Sequence, residues 1–282
     1  MRKKIAFIGV GNMASAIISG ITSECNPTPV AMSDIILYDK FADKVSEYQQ
    51  RGATVAKSEA QAADAADCVF LCVKPQNFPD VLPCLAGVNN IESKLFVTIA
   101  AGISMQTVED ATCGAPVVRV LPNTPIFIGQ AVSAICKTNK VCDEDFDFVC
   151  NIFNSSGSVL PIDESQMNRI IGVTSSSPAY VFLFIKSIIE GAVAQGLVKS
   201  EDNPDGIDVK LITESICDMI IGSAELVKAS DKTLDEQIST VASKGGTTER
   251  ALLELAAYNF SEGIVSAMKK CTDRADELGK KK

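Results

Sequence analysis

The chain contains no histidine. That absence removes Ser-His-Asp and Cys-His catalysis, histidine-ligated metals, and the imidazole acid–base used by many dehydrogenases. Positive charge is also scarce: 26 Lys and Arg stand against 35 Asp and Glu, a net charge of −9. With no basic stripe interleaved with aromatics, no nucleic-acid partner is expected. Ten cysteines occur, at 25, 68, 72, 84, 113, 136, 142, 150, 217 and 271, but none forms a Cys-x-x-Cys pair. Several sit in apolar runs such as Cys68-Val-Phe-Leu-Cys72, so they read as buried, reduced thiols of a cytoplasmic protein. A disulfide framework and a metal site are both excluded on this reading. No apolar stretch approaches a membrane span, which needs about eighteen residues. The apolar run after Arg2-Lys3-Lys4 is broken by Gly9, Gly11 and Asn12, unlike a secretory leader. Repeats and low-complexity tracts are missing too.

What remains is the composition of a globular protein. Its 282 residues are 46% hydrophobic and 22% charged, with a mean hydropathy of +0.18. That length suggests about two domains, together burying roughly 75% of the unfolded chain's surface. The terminal Lys280-Lys281-Lys282 reads as a solvated tail.

The first twenty residues organise the rest. Lys4 to Val10 is a short apolar run ending in Ile8-Gly9-Val10-Gly11-Asn12-Met13-Ala14, with a helix predicted over 14–21. Glycines at 9 and 11 permit a tight turn and a close backbone approach. A small Ala14 lets the helix pack on the strand and point its free N–H groups at a diphosphate. Alone, this pattern also fits any strand–turn–helix of an α/β protein. A second strand, Asp34 to Tyr38, ends at Asp39-Lys40, where a dinucleotide fold reads the adenosine ribose. An acid there accepts from the 2′-hydroxyl and a cation suits a 2′-phosphate. Asp39 favours NADH, Lys40 keeps NADPH open, and a capping aspartate beside a surface lysine is the plainer alternative.

Strands are predicted next at 54–56, 68–73, 96–99 and 117–121, with helices over 41–51 and 59–66. The continuous apolar run Cys68 to Val73 suits a buried parallel strand and stops at Lys74-Pro75. Small residues Ala100-Ala101-Gly102 follow the next strand, and Pro122-Asn123-Thr124-Pro125 the one after. Alternating strands and helices argue for a doubly wound, mostly parallel sheet, whose ligands bind beyond the carboxyl ends of the strands. Gly11, Lys74, Gly102 and Asn123 all fall at such ends and converge on one crevice. Two more strands, 131–135 and 158–162, flank a helix over 143–154.

After Asp163 only helical patterns remain, so a boundary is placed near 164. Residues 1–164 form a Rossmann-type domain and 165–282 an all-α domain. Ser175-Ser-Ser-Pro178 reads as the capped start of a helix whose residues 179–185, apolar all round, are expected to be buried. Val209, Ile212, Ile216, Met219, Ile220 and Val227 recur at helical spacing as core or subunit interface. The turn Ser243-Lys-Gly-Gly-Thr-Thr248 offers free N–H groups and three hydroxyls to a carboxylate, or is an ordinary capped loop. A last amphipathic helix is predicted from about Ser261.

Six blocks together carry a resemblance. They are Gly9-Val-Gly-Asn-Met-Ala14, Val73-Lys-Pro75, Ile99-Ala-Ala-Gly-Ile103, Arg119-Val-Leu-Pro-Asn-Thr-Pro125, Ser176-Ser-Pro-Ala-Tyr-Val181 and Ser243-Lys-Gly-Gly-Thr-Thr248. In order and over nearly the whole chain, this set resembles pyrroline-5-carboxylate reductase. The resemblance implies NADPH- or NADH-dependent reduction of the C=N bond of 1-pyrroline-5-carboxylate, the last step of proline biosynthesis. It implies an N-terminal Rossmann domain and a C-terminal helical domain through which two subunits form a homodimer, the dimers often assembling into decamers. Ile8, Gly9, Gly11, Asn12, Met13, Asp39, Lys40, Val73, Lys74, Pro75, Ala100, Ala101, Gly102 and Asn123 would hold the cofactor. Ser243, Gly245, Gly246, Thr247 and Thr248 would hold substrate, with the Thr248 hydroxyl near the imine nitrogen. An imine is already electrophilic, so hydride transfer to it requires neither histidine nor metal.

Departures from the family pattern are local. Lys244 replaces the usual proline of the glycine turn, Ser175 to Pro178 replaces a glycine-containing block, and Ser239-Thr240 replaces a frequent Asp-Asn or Asp-Met pair. Ser58-Glu59 stands where the family often has an asparagine. A 6-phosphogluconate-dehydrogenase-like hydroxyacid enzyme shares the two-domain plan. It would place a catalytic lysine where Ser175 to Pro178 stand, and Lys186 lies well inside the helix. A non-catalytic nucleotide sensor is the third reading, and the intact glycine turns argue against it.

Overall fold

A computed structural model describes residues 3–24, 26 and 28–280. Arg2 and Cys25, and all of the lysine tail but its first residue, lie outside that set. The first part of the chain alternates strands and helices: β1 (Ile5–Ile8), α1 (Asn12–Thr22), β2 (Ile35–Tyr38), α2 (Asp43–Gln50), β3 (Thr54–Val55), α3 (Glu59–Asp64) and β4 (Cys68–Leu71). It continues through α4 (Phe78–Val81), β5 (Leu95–Thr98), α5 (Met105–Ala111), β6 (Val117–Leu121), β7 (Ala131–Lys137), α6 (Asp143–Asn154) and β8 (Gly157–Pro161). The eight strands form one sheet in the order β3-β2-β1-β4-β5-β6-β7-β8, parallel throughout except where β7 runs antiparallel to β6.

The sequence explains why these runs are strands. Ile5-Ala-Phe-Ile8, Cys68-Val-Phe-Leu71 and Leu95-Phe-Val-Thr98 are buried at every position, because helices cover both faces. Side chains alternate between two cores: Ile5, Phe7, Cys68 and Phe70 on one side, Ala6, Ile8, Val69 and Leu71 on the other. Phe7 stacks on Phe70 at 4.8 Å, and Phe153 of α6 closes over Phe70 at 6.3 Å. Each such ring contributes about 1.5–3 kcal/mol by burial alone. The chain runs from β1 outward to β3, then crosses back to lay β4 on the other side of β1. That reversal opens a crevice at the carboxyl ends of β1 and β4.

The helical part differs from the sequence reading at its entrance. Ser175 to Ser177 do not cap a new helix; they lie inside a continuous helical run from Glu164 to Ala194. Within it α7 (Met167–Ile170) passes through a π turn (Ile171–Ser175) into α8 (Ser177–Ala194). The widened turn is closed by the Ser176 N–H donating to the Ile171 carbonyl at 2.8 Å, and the Ser177 hydroxyl donates to the Val173 carbonyl. Hydroxyls that back-bond to the helix replace the caps expected of them. This run is the one helix among the described residues with the length and hydropathy (1.4) of a membrane span, contrary to the sequence expectation. Four further helices follow: α9 (Val209–Ala229), α10 (Leu234–Val241), α11 (Thr247–Ala257) and α12 (Phe260–Lys280).

Two compact units result, residues up to Pro178 together with Met268 onward, and Ala179–Ala267. The division falls later than residue 164, and the end of α12 rejoins the sheet unit. Met167, Ile171 and Ala275 are part of that unit's core. A Cβ on Gly172 would lie 3.1 Å from Met268 Cα, so the π turn and α12 touch backbone to backbone. Within the second unit α8 is not buried all round: Phe182 is 61% and Leu183 62% exposed, and Ala192 alone of its residues is buried. Met219 and Val227 on α9 are exposed as well. In one copy of the chain these apolar faces are uncovered.

Cysteine burial is also mixed. Among the described cysteines, Cys68 and Cys136 are buried, but Cys84, Cys113 and Cys142 are exposed. Burial pushes both buried thiols up, Cys136 to about 12. A raised thiol pKa leaves the unreactive protonated form at pH 8. Iodoacetamide on the native protein at pH 8 should therefore label Cys84, Cys113 and Cys142 and spare Cys68 and Cys136. Peptide mass spectrometry reads the result, and early labelling of Cys68 would mean the sheet opens.

Candidate active site

The crevice is built on Gly9, where β1 leaves the sheet. Its φ of +90° is a conformation open chiefly to glycine, and its N–H donates to the Tyr38 carbonyl at 2.8 Å. A Cβ there would lie 2.9 Å from Val73 Cγ1 and 3.1 Å from the Cys72 carbonyl carbon. Gly9 is thus wedged against the end of β4, at the reversal of strand order. Gly11 is different: φ is −86° and nothing in the protein lies within 4 Å of a Cβ placed on it. Gly11 caps α1 without a side-chain hydrogen bond, and no acid occupies the first turn. The first N–H groups of α1, from Asn12 and Met13, therefore have no partner inside the helix. Ile8 and Ala14 are buried beneath them. An anion fits here because helix dipole and donors point the same way.

Asp39 does not reach outward. Its carboxylate, 8% exposed, accepts from the Val10 N–H at 2.8 Å and the Phe41 N–H at 3.0 Å, with Lys44 Nζ at 3.7 Å. It holds the glycine loop against the end of β2. What faces outward is cationic: the Lys40 and Lys44 ammonium groups lie 5.2 and 5.1 Å from the ring of half-exposed Phe41.

The other strand ends behave unequally. Val73 is half-buried against Gly9, while Lys74 is exposed and precedes the short 3-10 turn Pro75–Asn77. Ala100 is buried and Ala101 partly so. Gly102 needs its left-handed φ of +79° for a reason the small-residue pattern did not disclose. A Cβ there would meet the Ala275 carbonyl at 2.9 Å and Leu278 Cβ at 3.0 Å, so α12 covers the backbone at that point. Asn123 is a bracket: its Oδ1 accepts from the Val132 N–H and its Nδ2 donates to the Thr174 carbonyl, both at 3.0 Å. It ties the end of β6 to β7 and to the π turn. The adjoining Ser175 hydroxyl is buried without a partner. A polar Thr174-Ser-Ser-Ser177 inside an apolar helix was its only sequence signal.

The second unit carries the other turn. Gly245 has φ +77° and open space around it. Gly246 caps α11, and a Cβ on it would lie 2.8 Å from the Ser243 hydroxyl. Thr247 and Thr248 form the first helical turn. The Gly245 N–H donates to Glu249 Oε2 at 2.7 Å. A carboxylate of the protein thus already sits on this turn. Spacing alone had not singled out Glu249.

Comparison with known proteins decides between the readings. Residues 164–278 match the family model described as pyrroline-5-carboxylate reductase dimerisation. Residues 4–102 match NADP oxidoreductase, coenzyme F420-dependent. The chain is 35% identical to a pyrroline-5-carboxylate reductase of Corynebacterium melassecola, each covered to 98%. The chain belongs to the pyrroline-5-carboxylate reductase family. A second relative, the pyrroline-5-carboxylate reductase of Escherichia coli strain K12, is 32% identical over 99% of this chain and 100% of its own. A crystal structure of Plasmodium falciparum pyrroline carboxylate reductase with NADP bound matches with a TM-score of 0.85 at 26% identity, covering 98% of both chains. The uncovered apolar faces of α8 and α9 fall inside the residues matched by the reductase dimerisation model, so this member of the family carries a dimerisation domain.

Proposed function

We propose that the protein reduces the C=N bond of 1-pyrroline-5-carboxylate to L-proline at the expense of NAD(P)H, the last step of proline biosynthesis. Family membership along the whole chain, joined to an open glycine loop at the reversal of strand order, carries this reading. Bound NAD(P)H supplies the hydride. The protein's own residues position and polarise. Gly9, Gly11 and the start of α1 hold the diphosphate, with Ile8, Val73, Lys74, Pro75, Ala100 and Ala101 along the crevice. Asn123 and Gly102 fix the strand ends around it. Gly245, Gly246 and Thr247, with Ser243, grip the substrate carboxylate. The Thr248 hydroxyl stands near the imine nitrogen, directly or through water, where a proton is needed as the hydride arrives. Residues 1–164 serve the nucleotide and 165–282 serve dimerisation and substrate. The working form is a cytoplasmic homodimer through the C-terminal helices, with five such dimers forming a decamer.

The turned-in Asp39 and the outward Lys40 and Lys44 favour NADPH. A carboxylate engaged by two backbone N–H groups is a poor acceptor for a ribose hydroxyl, whereas two ammonium groups suit a 2′-phosphate. Steady-state rates with 1-pyrroline-5-carboxylate and either nucleotide test both halves of this reading. The double substitution Lys40→Ala/Lys44→Ala should lower kcat/KM for NADPH by about tenfold or more and leave NADH within about twofold. Asp39→Ala should lower both together, since it loosens the shared loop. No turnover with either nucleotide would overturn the reaction itself.

A further inference from the structure

A second cleft lies on the sheet unit, beside Arg119 of β6 and Ser104, the N-cap of α5. It has a volume of about 390 Å³ and is lined by Arg119, Glu164, Arg169, Ser104, Thr272 and Asp276, among others. Arg119 is 3% exposed and incompletely paired. Its Nη2 donates to Asn168 Oδ1 at 2.8 Å, its Nη1 reaches Glu164 Oε1 only at 3.5 Å, and its Nε has no partner. Glu164 is held more firmly elsewhere, accepting from the Met105 N–H at 2.6 Å. Asn168 in turn donates to Asp276 Oδ1 of α12 at 2.7 Å.

A buried guanidinium with an empty donor is costly, and a structural tie would be expected to close it. The lining charges are balanced: two guanidinium groups, Arg119 and Arg169, against two carboxylates, Glu164 and Asp276. A simple anion would meet both carboxylates and a simple cation both guanidiniums. A small molecule bearing one carboxylate and one ammonium group satisfies both pairs and is penalised by neither. The volume is in the range of about 300–1,000 Å³ typical of small-ligand sites. We propose that this cleft binds a free α-amino acid, its carboxylate toward Arg119 and Arg169 and its ammonium toward Asp276 and Glu164.

Arg169 and Asp276 are among none of the residues assigned above to nucleotide or substrate, so they can be changed without replacing either set. Isothermal titration of the full-length protein at low salt with glycine, L-alanine and L-glutamate tests the proposal, with acetate and methylammonium as the two halves of glycine. At least one amino acid should bind saturably, and both halves about tenfold more weakly or not at all. Asp276→Asn and Arg169→Gln should each weaken amino-acid binding by about tenfold while leaving kcat/KM for 1-pyrroline-5-carboxylate unchanged in its absence. Acetate binding as tightly as glycine would make this a plain anion site and overturn the proposal. Equal affinity in wild type and both variants would place the amino acid elsewhere. If none of the three amino acids binds, the cluster is only a tie between α5, α7 and α12, and the proposal fails.

Discussion

Gly9→Val is expected to remove nucleotide binding and turnover together, and to destabilise the fold. Three costs coincide at this position. A φ of +90° is strained for any residue with a Cβ, by about 1–3 kcal/mol, and a branched one suffers most. The new side chain would also meet Val73 and the Cys72 carbonyl at 2.9–3.1 Å, an overpacking cost of about 1–3 kcal/mol. Relief requires the loop to move away from β4, which removes the proposed seat of the diphosphate. At about 2–4 °C per kcal/mol for a chain of this class, Tm should fall by roughly 5–20 °C. Gly11→Ala separates stability from binding. Nothing in the protein lies within 4 Å of a Cβ at Gly11, and its φ is ordinary, so the variant should fold with Tm within about 2 °C of wild type. Its affinity for NADPH, measured by fluorescence titration, should nevertheless drop, because the space it fills is the one proposed for the diphosphate. Unaltered affinity would mean the diphosphate lies elsewhere.

Thr248→Ala is expected to lower kcat/KM for 1-pyrroline-5-carboxylate by about 10²–10³, the usual loss when one positioned hydrogen-bond donor at a reacting centre is removed. Nucleotide affinity should stay within about twofold, since the threonine lies in the first turn of α11, outside the Rossmann sheet. Thr248→Ser, which keeps the hydroxyl, should recover most of the rate. Thr248 makes neither the cap nor the core of α11: Gly246 is the N-cap, and no residue of α11 is buried in the single chain. Stability should therefore change little, and a large fall in Tm would argue for a packing role instead. If Thr248→Ala lost nucleotide binding and turnover equally, the proton-handling role would be wrong.

Much of this was legible in the order of residue types. The runs Ile5–Ile8, Cys68–Leu71 and Val117–Leu121 are short, apolar throughout and separated by helical patterns, which suffices for a parallel sheet covered on both faces. Gly9 and Gly11 marked the turn between β1 and α1, and Gly245-Gly246-Thr247-Thr248 a second helix start. Of the four strand ends expected to line one crevice, Gly11 and Lys74 stay open or exposed, whereas Gly102 is covered by α12 and Asn123 braces Val132 and Thr174.

Periodicity could not say where a side chain or helix finds its partner. Asp39 sits at the end of β2 as expected, but only the fold turns its carboxylate onto the Val10 N–H. Gly102 looked like a place for a cofactor to lie, yet α12 returns from 173 residues later, at Ala275, to cover it. The apolar α8 read as buried and is bare in one chain, since hydrophobicity does not distinguish a core from a subunit interface. Arg119, in the middle of an apolar strand, gave no local warning of the cleft beside it. By itself the sequence determined the sheet, the two glycine turns and the family. These depend on local backbone freedom and on patterns repeated every few residues. Tertiary structure decided which polar groups are satisfied, which glycines are wedged and which are open, and which apolar faces await a second copy. Those outcomes depend on distances between residues far apart in the chain.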